Sequence, residues 1–298
     1  MESIFEILKA VLFGIVEGIT EWLPISSTGH MILLNEFVKL NVSESFWDMF
    51  LVVIQLGAIL AVIVLFWNLI WPFTSAKNAD IIDKSYGIWQ KKYWLFGPIA
   101  VKVDIILNWL KVVVACLPAI VFVALGIDDI CDELFYNAQG VSIALIVFGI
   151  AFILIENRNA DRRARVEEMM DITWAMAAAI GVFQLIAAAF PGTSRSGATI
   201  IGALLIGISR KAASEFTFIL AIPVMLGASL LEFLDFGFAL SQSELIILAA
   251  GMISAFLVSV FVIKFLLSYI RKHDFKVFGW YRIVLGIVVL ACGFMGVI

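Results

Sequence analysis

Charged side chains are scarce in this sequence. Asp, Glu, Lys and Arg together make up 15% of the 298 residues, whereas apolar residues make up 63%. Soluble domains are about one quarter charged and about half apolar, so this composition excludes a water-soluble globular protein. No polar block is long enough to form a soluble domain, while apolar stretches of bilayer-spanning length recur along the chain. We therefore expect a single integral membrane domain over residues 1–298.

Three further features are missing, and each absence narrows the possible classes of protein. The three cysteines, Cys116, Cys131 and Cys292, show no metal-ligand spacing, which leaves them as packing residues. The sequence has no basic stretch interleaved with aromatics, so we expect no nucleic-acid partner. The first residues, MESIFEILKA, lack the positive region that opens a signal peptide. We therefore expect insertion into the membrane without processing.

Six apolar segments are predicted to cross the membrane as helices. They lie at approximately 48–70, 103–126, 139–156, 215–235, 244–270 and 281–298. Two more apolar regions, about 3–40 and 172–208, are each interrupted by a polar turn, PISSTG at 24–29 and PGTSRSG at 191–197. Such residues end helices, and the freed backbone must pack within protein or line a wet cavity. The sequence therefore predicts an all-α polytopic membrane protein with six transmembrane helices and two re-entrant helical hairpins.

Lys and Arg residues are sorted by loop. The basic segments are 71–102, 157–171, 210–211 and 271–282. The loops 127–138 and 236–243 contain no Lys or Arg. Because cytoplasmic loops carry the excess of basic residues, we expect every basic segment on the cytoplasmic side, with 71–102 as a long cytoplasmic loop. Both termini then lie outside, the first hairpin enters from outside, and the second enters from the cytoplasm.

The two hairpin regions are related in sequence. Placing 14–29 on 181–196 aligns Gly14 with Gly181, Glu17 with Gln184, Pro24 with Pro191 and Ser27 with Ser194. The LGA triplets at 56–58 and 226–228 also match after a small gap. Weak internal similarity with opposite orientation indicates an inverted repeat, with halves at approximately 1–126 and 139–298. Broken helices at equivalent positions mark a site near the middle of the bilayer.

Two carboxylates precede the first turn. Glu17 and Glu21 are four residues apart, so both project from one face of a helix. An unpaired charge in an apolar run is costly, which makes a functional role the default interpretation. The pair could bind a hard divalent cation, with waters and substrate phosphate completing the coordination shell, or one carboxylate could act as a base. Alternatively, both only cap or pair with polar neighbours and hold the turn together.

The first turn also carries hydroxyl groups and one of the two histidines. Ser26, Ser27 and Thr28 are followed by His30, within one helical turn of Ser27. A serine needs a neighbouring base to become a nucleophile, and neutral imidazole suits that task. Equally, His30 could itself attack phosphorus. The alternative is a hydroxyl-rich turn whose side chains satisfy freed backbone groups.

The second turn carries a single basic residue, Arg195. A guanidinium can hold two phosphate oxygens at once, and a glycine-rich turn that opens a helix near 197 points N–H groups at an anion. Further hydroxyl donors are Ser194, Ser196 and Thr199. The alternative is that Arg195 is merely paired with Glu17 or Glu21. The remaining arginines and lysines, Arg282 among them, are interpreted as loop anchors.

The segments EGITEWLPISSTGH at 17–30 and PGTSRSGAT at 191–199 closely resemble the two signature motifs of the bacterial undecaprenyl-diphosphate phosphatase family, which is associated with bacitracin resistance. The resemblance covers nearly the whole chain, including RKAASEF at 210–216. Trp22 and Ile25 are conservative departures from the usual Phe and Val, and 72–100 is longer and more polar than the family pattern. The resemblance implies hydrolysis of undecaprenyl diphosphate in the bacterial inner membrane, which recycles the lipid carrier for peptidoglycan synthesis, and a divalent metal ion, Mg²⁺ or Ca²⁺.

The resemblance also implies roles for individual residues. Glu17 and Glu21 would be the metal-binding or acid/base pair, and Ser27 or His30 would be the nucleophile or its partner, with Ser27 assisted by His30 preferred. The expected diphosphate-binding residues are Arg195, Ser26, Thr28, Ser194, Ser196 and Thr199. The expected partners are the polyprenyl diphosphate, membrane lipids and, in a homodimer, a second copy of the chain. Competing functions are a polyprenyl-lipid transporter or flippase, which could share the inverted repeat, and a non-catalytic membrane scaffold.

Overall fold

The computed structural model describes residues 2–75, 93–96, 98–160, 162–237 and 240–296. The chain is mostly helical. Its helices are α1 (Glu2–Thr20), α2 (Ser27–Phe37), α3 (Glu44–Leu65), α4 (Trp67–Ile70), α5 (Val103–Ala124), α6 (Ile127–Phe135), α7 (Ala138–Asn159), α8 (Trp174–Ala189), α9 (Arg195–Leu205), α10 (Arg210–Phe236), α11 (Gln242–Tyr269) and α12 (Lys276–Phe294). A short 3-10 helix covers Met169–Asp171.

Six of these helices, α3, α5, α7, α10, α11 and α12, are long and apolar enough to cross a membrane. Each coincides with one predicted span, so this part of the expected fold is confirmed. Two of them begin several residues before the apolar run because a serine caps them. Ser43 accepts a hydrogen bond from the Phe46 N–H, and Ser209 accepts one from the Ala212 N–H. A capped first turn tolerates the polar residues that hydropathy places outside the span.

The basic segment 71–102 contains structure that the sequence analysis did not predict. Three short strands, β1 (Phe73–Ser75), β2 (Tyr93–Phe96) and β3 (Ile99–Lys102), form an antiparallel sheet in the order β1-β3-β2. The predicted all-α membrane domain is unaffected, and the sheet lies within the segment that was predicted as a loop. The lysines at 77, 84, 91 and 92, on which the loop assignment partly rests, lie outside the described residues.

Each interrupted region packs against a long helix. Helix α1 lies along α11, and α8 lies along α5. Gly14 faces the backbone of Gly251, and Gly181 faces the backbone of Ala115, so closely that a Cβ at either glycine would overlap its neighbour. Small residues allow membrane helices to approach in this way. Gly14 and Gly181, aligned in the sequence comparison, thus occupy equivalent positions in the packing.

Buried polar side chains concentrate around the two turns that interrupt these regions. They include Glu17, Glu21, Ser26, Gln184, Thr193, Ser196, Thr199, Thr217 and Arg282. Next to them, the fully buried Trp22 packs edge-on against Phe218 of α10, with ring centroids 5.2 Å apart. Burial of polar groups requires internal hydrogen bonds. The buried polar side chains at these turns mark a candidate functional site.

Candidate active site

The two turns share an unusual backbone conformation. Ser26 precedes α2 with φ 73°, and Ser194 precedes α9 with φ 70°. Each serine oxygen accepts a hydrogen bond from the N–H three residues later, at 3.5 Å from Gly29 N and 3.2 Å from Gly197 N. Positive φ is uncommon outside glycine and is found at functional sites. The two turns therefore have the same strained backbone conformation at the serine that caps the following helix.

This equivalence corrects the sequence alignment inside the turns. By role, Ser26 matches Ser194 and Gly29 matches Gly197, whereas the sequence comparison placed Ser27 on Ser194. The reason is that the second turn has one additional residue between its proline and its capping serine. Ser27 is consequently the counterpart of Arg195.

The carboxylate of Glu21 joins the two turns. Its Oε1 accepts a hydrogen bond from Arg195 Nη2 at 2.9 Å, and its Oε2 accepts one from Ser27 Oγ at 3.2 Å. Ser196 Oγ donates to the Glu21 carbonyl oxygen at 3.1 Å. The ion pair that the sequence analysis considered as an alternative for Arg195 is therefore present. It connects a candidate nucleophile, a carboxylate and a guanidinium in one chain of contacts.

Arg195 is held from its other side by α10. Its Nη1 donates to the Thr217 carbonyl oxygen at 3.3 Å, and its Nη2 lies 3.8 Å from Met225 Sδ. A guanidinium carries five N–H groups, so donors remain after these contacts and the pair with Glu21. These three contacts therefore do not use every N–H group of Arg195.

Three predicted phosphate-binding hydroxyls are buried and used within the protein. Ser196 bonds to Glu21 as described, and Ser26 caps α2. Thr199 Oγ1 donates to the Arg195 carbonyl oxygen at 2.9 Å and lies 3.0 Å from Thr217 Oγ1. Ser26, Ser196 and Thr199 are not among the residues that line the cavity next to Ser27. Their contact with the diphosphate stays a prediction, and their hydrogen bonds here position Arg195 and the two turns.

Glu17 lies one helical turn before Glu21 and is fully buried. Within the described part of the chain, its Oε1 has no hydrogen-bond partner. An unpaired buried carboxylate oxygen is costly, which points to a ligand that supplies the missing contact. No group of three potential metal-ligating side chains lies together among the described residues. Two carboxylates one turn apart suit a hard cation that takes its other ligands from water and substrate.

A cavity of about 350 Å³ opens beside these groups. Of the predicted site residues, Glu17, Ser27 and Thr28 line it. Glu21 is connected to it by its hydrogen bond with Ser27, and Arg195 by its pair with Glu21. Its other lining residues are Met31, Asp48, Leu51, Val52, Gln55, Asp132, Tyr136 and Glu232. The cavity therefore combines acidic groups with apolar side chains.

The acidic residues of this cavity bear on its electrostatics. In helix α6, burial raises the pKa of Asp132, and the nearby charges of Asp128 and Asp129 raise it further. Asp48 and Glu232 add two more carboxyl groups to the lining. Such a lining repels an anionic substrate unless a cation is bound as well.

Among the described residues, no hydrogen bond joins His30 to Ser27. The Nδ1 atom of His30 lies 2.6 Å from the Ser26 carbonyl oxygen, and its Nε2 lies 2.7 Å from Tyr281 Oη. A carbonyl oxygen only accepts, so we assign the proton to Nδ1, and Nε2 then accepts from Tyr281. The expected assistance of Ser27 by His30 is therefore not realised in this arrangement. Tyr281, which the sequence analysis missed, occupies the nitrogen that would have acted as base.

Arg282 is a second residue whose place was wrongly predicted. It is not a loop anchor but is fully buried in α12. Its Nη1 donates to the Pro24 carbonyl oxygen at 3.3 Å and its Nη2 donates to the Gly192 carbonyl oxygen at 3.0 Å. The Arg282 side chain thus links the two turns by a hydrogen bond to the backbone of each. A charge inside an apolar span is functional by default, and that criterion, applied to this helix, would have identified it.

Comparison with known proteins assigns the chain to a family. Residues 10–288 match the family described as bacitracin resistance protein BacA. The chain is 56% identical to undecaprenyl-diphosphatase 1 of Clostridium acetobutylicum, over 97% of this chain and 98% of the relative. It is 56% identical to the undecaprenyl-diphosphatase of Desulfitobacterium hafniense, over 97% and 96% of the two chains. It is 57% identical to an undecaprenyl-diphosphatase of Enterococcus faecalis, over 96% of each chain.

Proposed function

The chain belongs to the bacitracin resistance protein BacA family, and on that basis we propose that it hydrolyses undecaprenyl diphosphate to undecaprenyl phosphate and inorganic phosphate. It is a multi-pass protein of the bacterial cell membrane. The reaction returns the lipid carrier to peptidoglycan synthesis and accounts for an association with bacitracin resistance.

The single observation that carries the chemistry is the double engagement of Glu21. One of its oxygens pairs with Arg195 and the other accepts from Ser27. Phosphoryl transfer needs an in-line nucleophile, a proton acceptor and positive charge on the phosphate. These three groups come from two turns that lie far apart in the sequence. No comparable requirement explains such a cluster in a membrane scaffold.

In the proposed reaction, Ser27 Oγ attacks the terminal phosphorus of the lipid diphosphate and transfers its proton to Glu21 Oε2. The bond from that phosphorus to the bridging oxygen breaks, and undecaprenyl phosphate leaves. Water then attacks the phosphorus of the phosphoserine, the bond from phosphorus to Ser27 Oγ breaks, and Glu21 returns its proton to Ser27 Oγ. One proton of the water stays on the inorganic phosphate, and the other passes to bulk water. Arg195 stabilises the charge on the phosphoryl oxygens.

Glu17 and Glu21 are the residues that would hold a divalent ion, Mg²⁺ or Ca²⁺. The fit rests on the unpartnered, buried Oε1 of Glu17 beside the cavity. When bound, the ion would neutralise phosphate charge and polarise the bond to be broken. Glu17 would then be a ligand, whereas Glu21 would be shared between the ion, Arg195 and Ser27.

The substrate would enter from the outer side of the membrane. The cavity is lined by Asp132 and Tyr136, near the segment 127–138 that contains no Lys or Arg and is expected outside. Met31, Leu51 and Val52 give the cavity an apolar part. The lipid tail can therefore remain in the hydrocarbon while the head group reaches Ser27.

We also propose that the two interrupted regions are re-entrant hairpins of an inverted repeat. Helices α2 and α9 have 11 residues each, which gives a length of about 16 Å, roughly half the hydrocarbon thickness. The matched serine caps and the equivalent packing of Gly14 and Gly181 support a repeat. The opposite orientation rests on the distribution of basic loops.

Phosphate release from undecaprenyl diphosphate by the purified protein tests the function. We expect release by the wild type, loss in Ser27→Ala, and loss on addition of a chelator. His30→Ala should retain measurable turnover, because no hydrogen bond joins His30 to Ser27 among the described residues. A lipid transporter, the competing function, would release no phosphate. No observation favours that alternative over hydrolysis.

A further inference from the structure

A second cavity, of about 640 Å³, lies at the opposite end of α9 from the candidate active site. Helix α9 begins at Arg195 and ends at Leu205, so its ends are about 16 Å apart. The two cavities share no lining residue. This cavity lies between the end of α7, the segment 162–165 and the start of α10. It belongs to the side of the protein where basic residues collect.

Four arginines line this cavity: Arg162, Arg163, Arg165 and Arg210. Among the described lining residues, the one acidic side chain is Glu156. Its oxygens are already engaged: Arg210 pairs with it through two nitrogens, and the Phe275 N–H donates to its Oε1 at 3.0 Å. Glu156 therefore offsets Arg210 and leaves the other three guanidinium groups to give the cavity its positive charge.

The arginine-bearing segment is held in place before any ligand binds. Arg165 N donates to the Gly207 carbonyl oxygen at 2.7 Å, and Ser209 N donates to the Val166 carbonyl oxygen at 2.8 Å. Gly207 has φ 92°, and a Cβ there would press on the Arg165 side chain. The backbone pairing and the glycine together set the direction of Arg165. A preformed site loses less ordering entropy on binding.

The remaining wall of the cavity is apolar. It is formed by Leu204, Leu205, Ile206 and Ile208, and Leu205 is 40% exposed. A guanidinium rim beside an apolar wall at the end of spanning helices matches an amphiphile whose phosphate lies at the membrane surface. Guanidinium groups bind phosphate oxygens in pairs, which lysine does not do.

We propose that this cavity binds a phosphate group, carried either by an anionic membrane lipid or by a free phosphate ion, at a site separate from the candidate active site. Arg163 and Arg165 would recognise the phosphate oxygens of either ligand. The apolar wall adds contacts for a lipid chain. Binding here fastens α7, the segment 162–166 and α10 to one another through the ligand.

The test compares ligand binding by the detergent-purified full chain and its variants. Titrations with phosphatidylglycerol, phosphatidylcholine and inorganic phosphate are followed by native mass spectrometry or by thermal stabilisation. The variants are the double substitution Arg163→Gln with Arg165→Gln, the charge-preserving pair Arg163→Lys with Arg165→Lys, and the control Arg271→Gln. Arg271 is an exposed arginine outside the cavity.

We expect wild type and Arg271→Gln to bind phosphatidylglycerol more tightly than phosphatidylcholine. The glutamine pair should weaken phosphatidylglycerol binding roughly 25-fold, at about fivefold per arginine, and the lysine pair should weaken it less. Phosphatidylglycerol and phosphatidylcholine could instead bind equally tightly, while binding of inorganic phosphate is weakened by the glutamine pair. The proposal then holds with free phosphate as the ligand.

The proposal fails if the glutamine pair binds all three probes like the wild type. It also fails if Arg271→Gln loses as much binding as the glutamine pair, because the effect would then be general surface charge. Release of phosphate from undecaprenyl diphosphate, measured in the same detergent, should be unchanged in the glutamine pair. That measurement separates a failure of this site from a failure of the proposed hydrolysis.

Discussion

The first turn brings carboxylates and a serine to the site, whereas the second turn brings a guanidinium on the same backbone. Ser26 and Ser194 cap α2 and α9 in matching conformations. The residue after each cap differs: Ser27 in the first turn and Arg195 in the second. Two turns with matching backbone conformation thus present different groups, a hydroxyl after the first cap and a guanidinium after the second.

Positions before the turns show the same contrast. Glu17 and its aligned partner Gln184 are both buried. Glu17 leaves one oxygen without a hydrogen bond, and both polar atoms of Gln184 have no partner within the described residues. Glu17 lines the cavity of the candidate active site, whereas Gln184 does not. A carboxyl group therefore stands at the position that borders the cavity, and a neutral amide stands at the other position.

The largest expected effect comes from replacing the guanidinium of the second turn. Arg195→Lys keeps the charge but loses the planar donor geometry that holds both Glu21 and a phosphate. Turnover of undecaprenyl diphosphate should fall by about 100- to 1000-fold, by analogy with loss of a transition-state donor. Near-normal turnover in a folded Arg195→Lys protein would show that point charge alone is sufficient.

The two LGA triplets give a sharper comparison of the halves. A Cβ on Gly57 would overlap the backbone of Met252, whereas a Cβ on Gly227 would meet nothing within 4 Å. Gly57→Ala should therefore lower the free energy of unfolding by about 1–3 kcal/mol. Gly227→Ala, the matched control, should be neutral or stabilising by up to about 1 kcal/mol because alanine favours the helix. Equal effects on thermal midpoints would contradict this packing difference.

Glu17→Gln makes the first half resemble the second at the aligned position. Without this carboxylate, the concentration of Mg²⁺ or Ca²⁺ needed for half-maximal phosphate release should rise by at least about tenfold, the loss that even outer contacts of a metal site produce. Gln184→Glu serves as the control and should not shift the activation curve. An unchanged curve in Glu17→Gln would remove this residue from the ligand set.

The smallest expected effect concerns the contact between His30 and Tyr281. Tyr281→Phe removes one hydrogen bond to Nε2, which should lower the free energy of unfolding by about 1 kcal/mol. Turnover should change by less than about tenfold, because in the proposed reaction Glu21, which accepts the hydrogen bond of Ser27, rather than His30 takes its proton. If turnover instead collapses while stability is preserved, the tyrosine–histidine pair acts in the chemistry and the assignment of Glu21 as base is wrong.

Local composition predicted much of this fold. The six spans follow from hydropathy, and the turns follow from proline, glycine and hydroxyl residues. The small sheet was not predicted because its strands have three or four residues, too few to establish an alternating pattern. Glu17 and Glu21 were identified from the cost of a charge in an apolar run, whereas Ser27 and Arg195 were identified from the chemistry of their side chains in the turns.

The residues that were missed act through contacts between distant parts of the chain. His30 meets Tyr281 across 251 positions, and Arg282 reaches Pro24 across 258. One sequence carries no record of such pairings, because side-chain meetings depend on how helices pack. Thr199 and Ser196 were assigned to the ligand for the same reason: their type fits a phosphate, but packing directs them to backbone carbonyl oxygens.

We propose that Glu21 and Arg195 act together on one phosphate held between the two turns. A double-mutant cycle on phosphate release from undecaprenyl diphosphate, with Glu21→Gln, Arg195→Gln and the combined variant, measures whether the two residues are coupled. Residues that act as a unit are non-additive, so we expect the combined variant to be hardly worse than the poorer single variant. If the two losses multiply in the combined variant, the two residues act independently and the proposal is wrong.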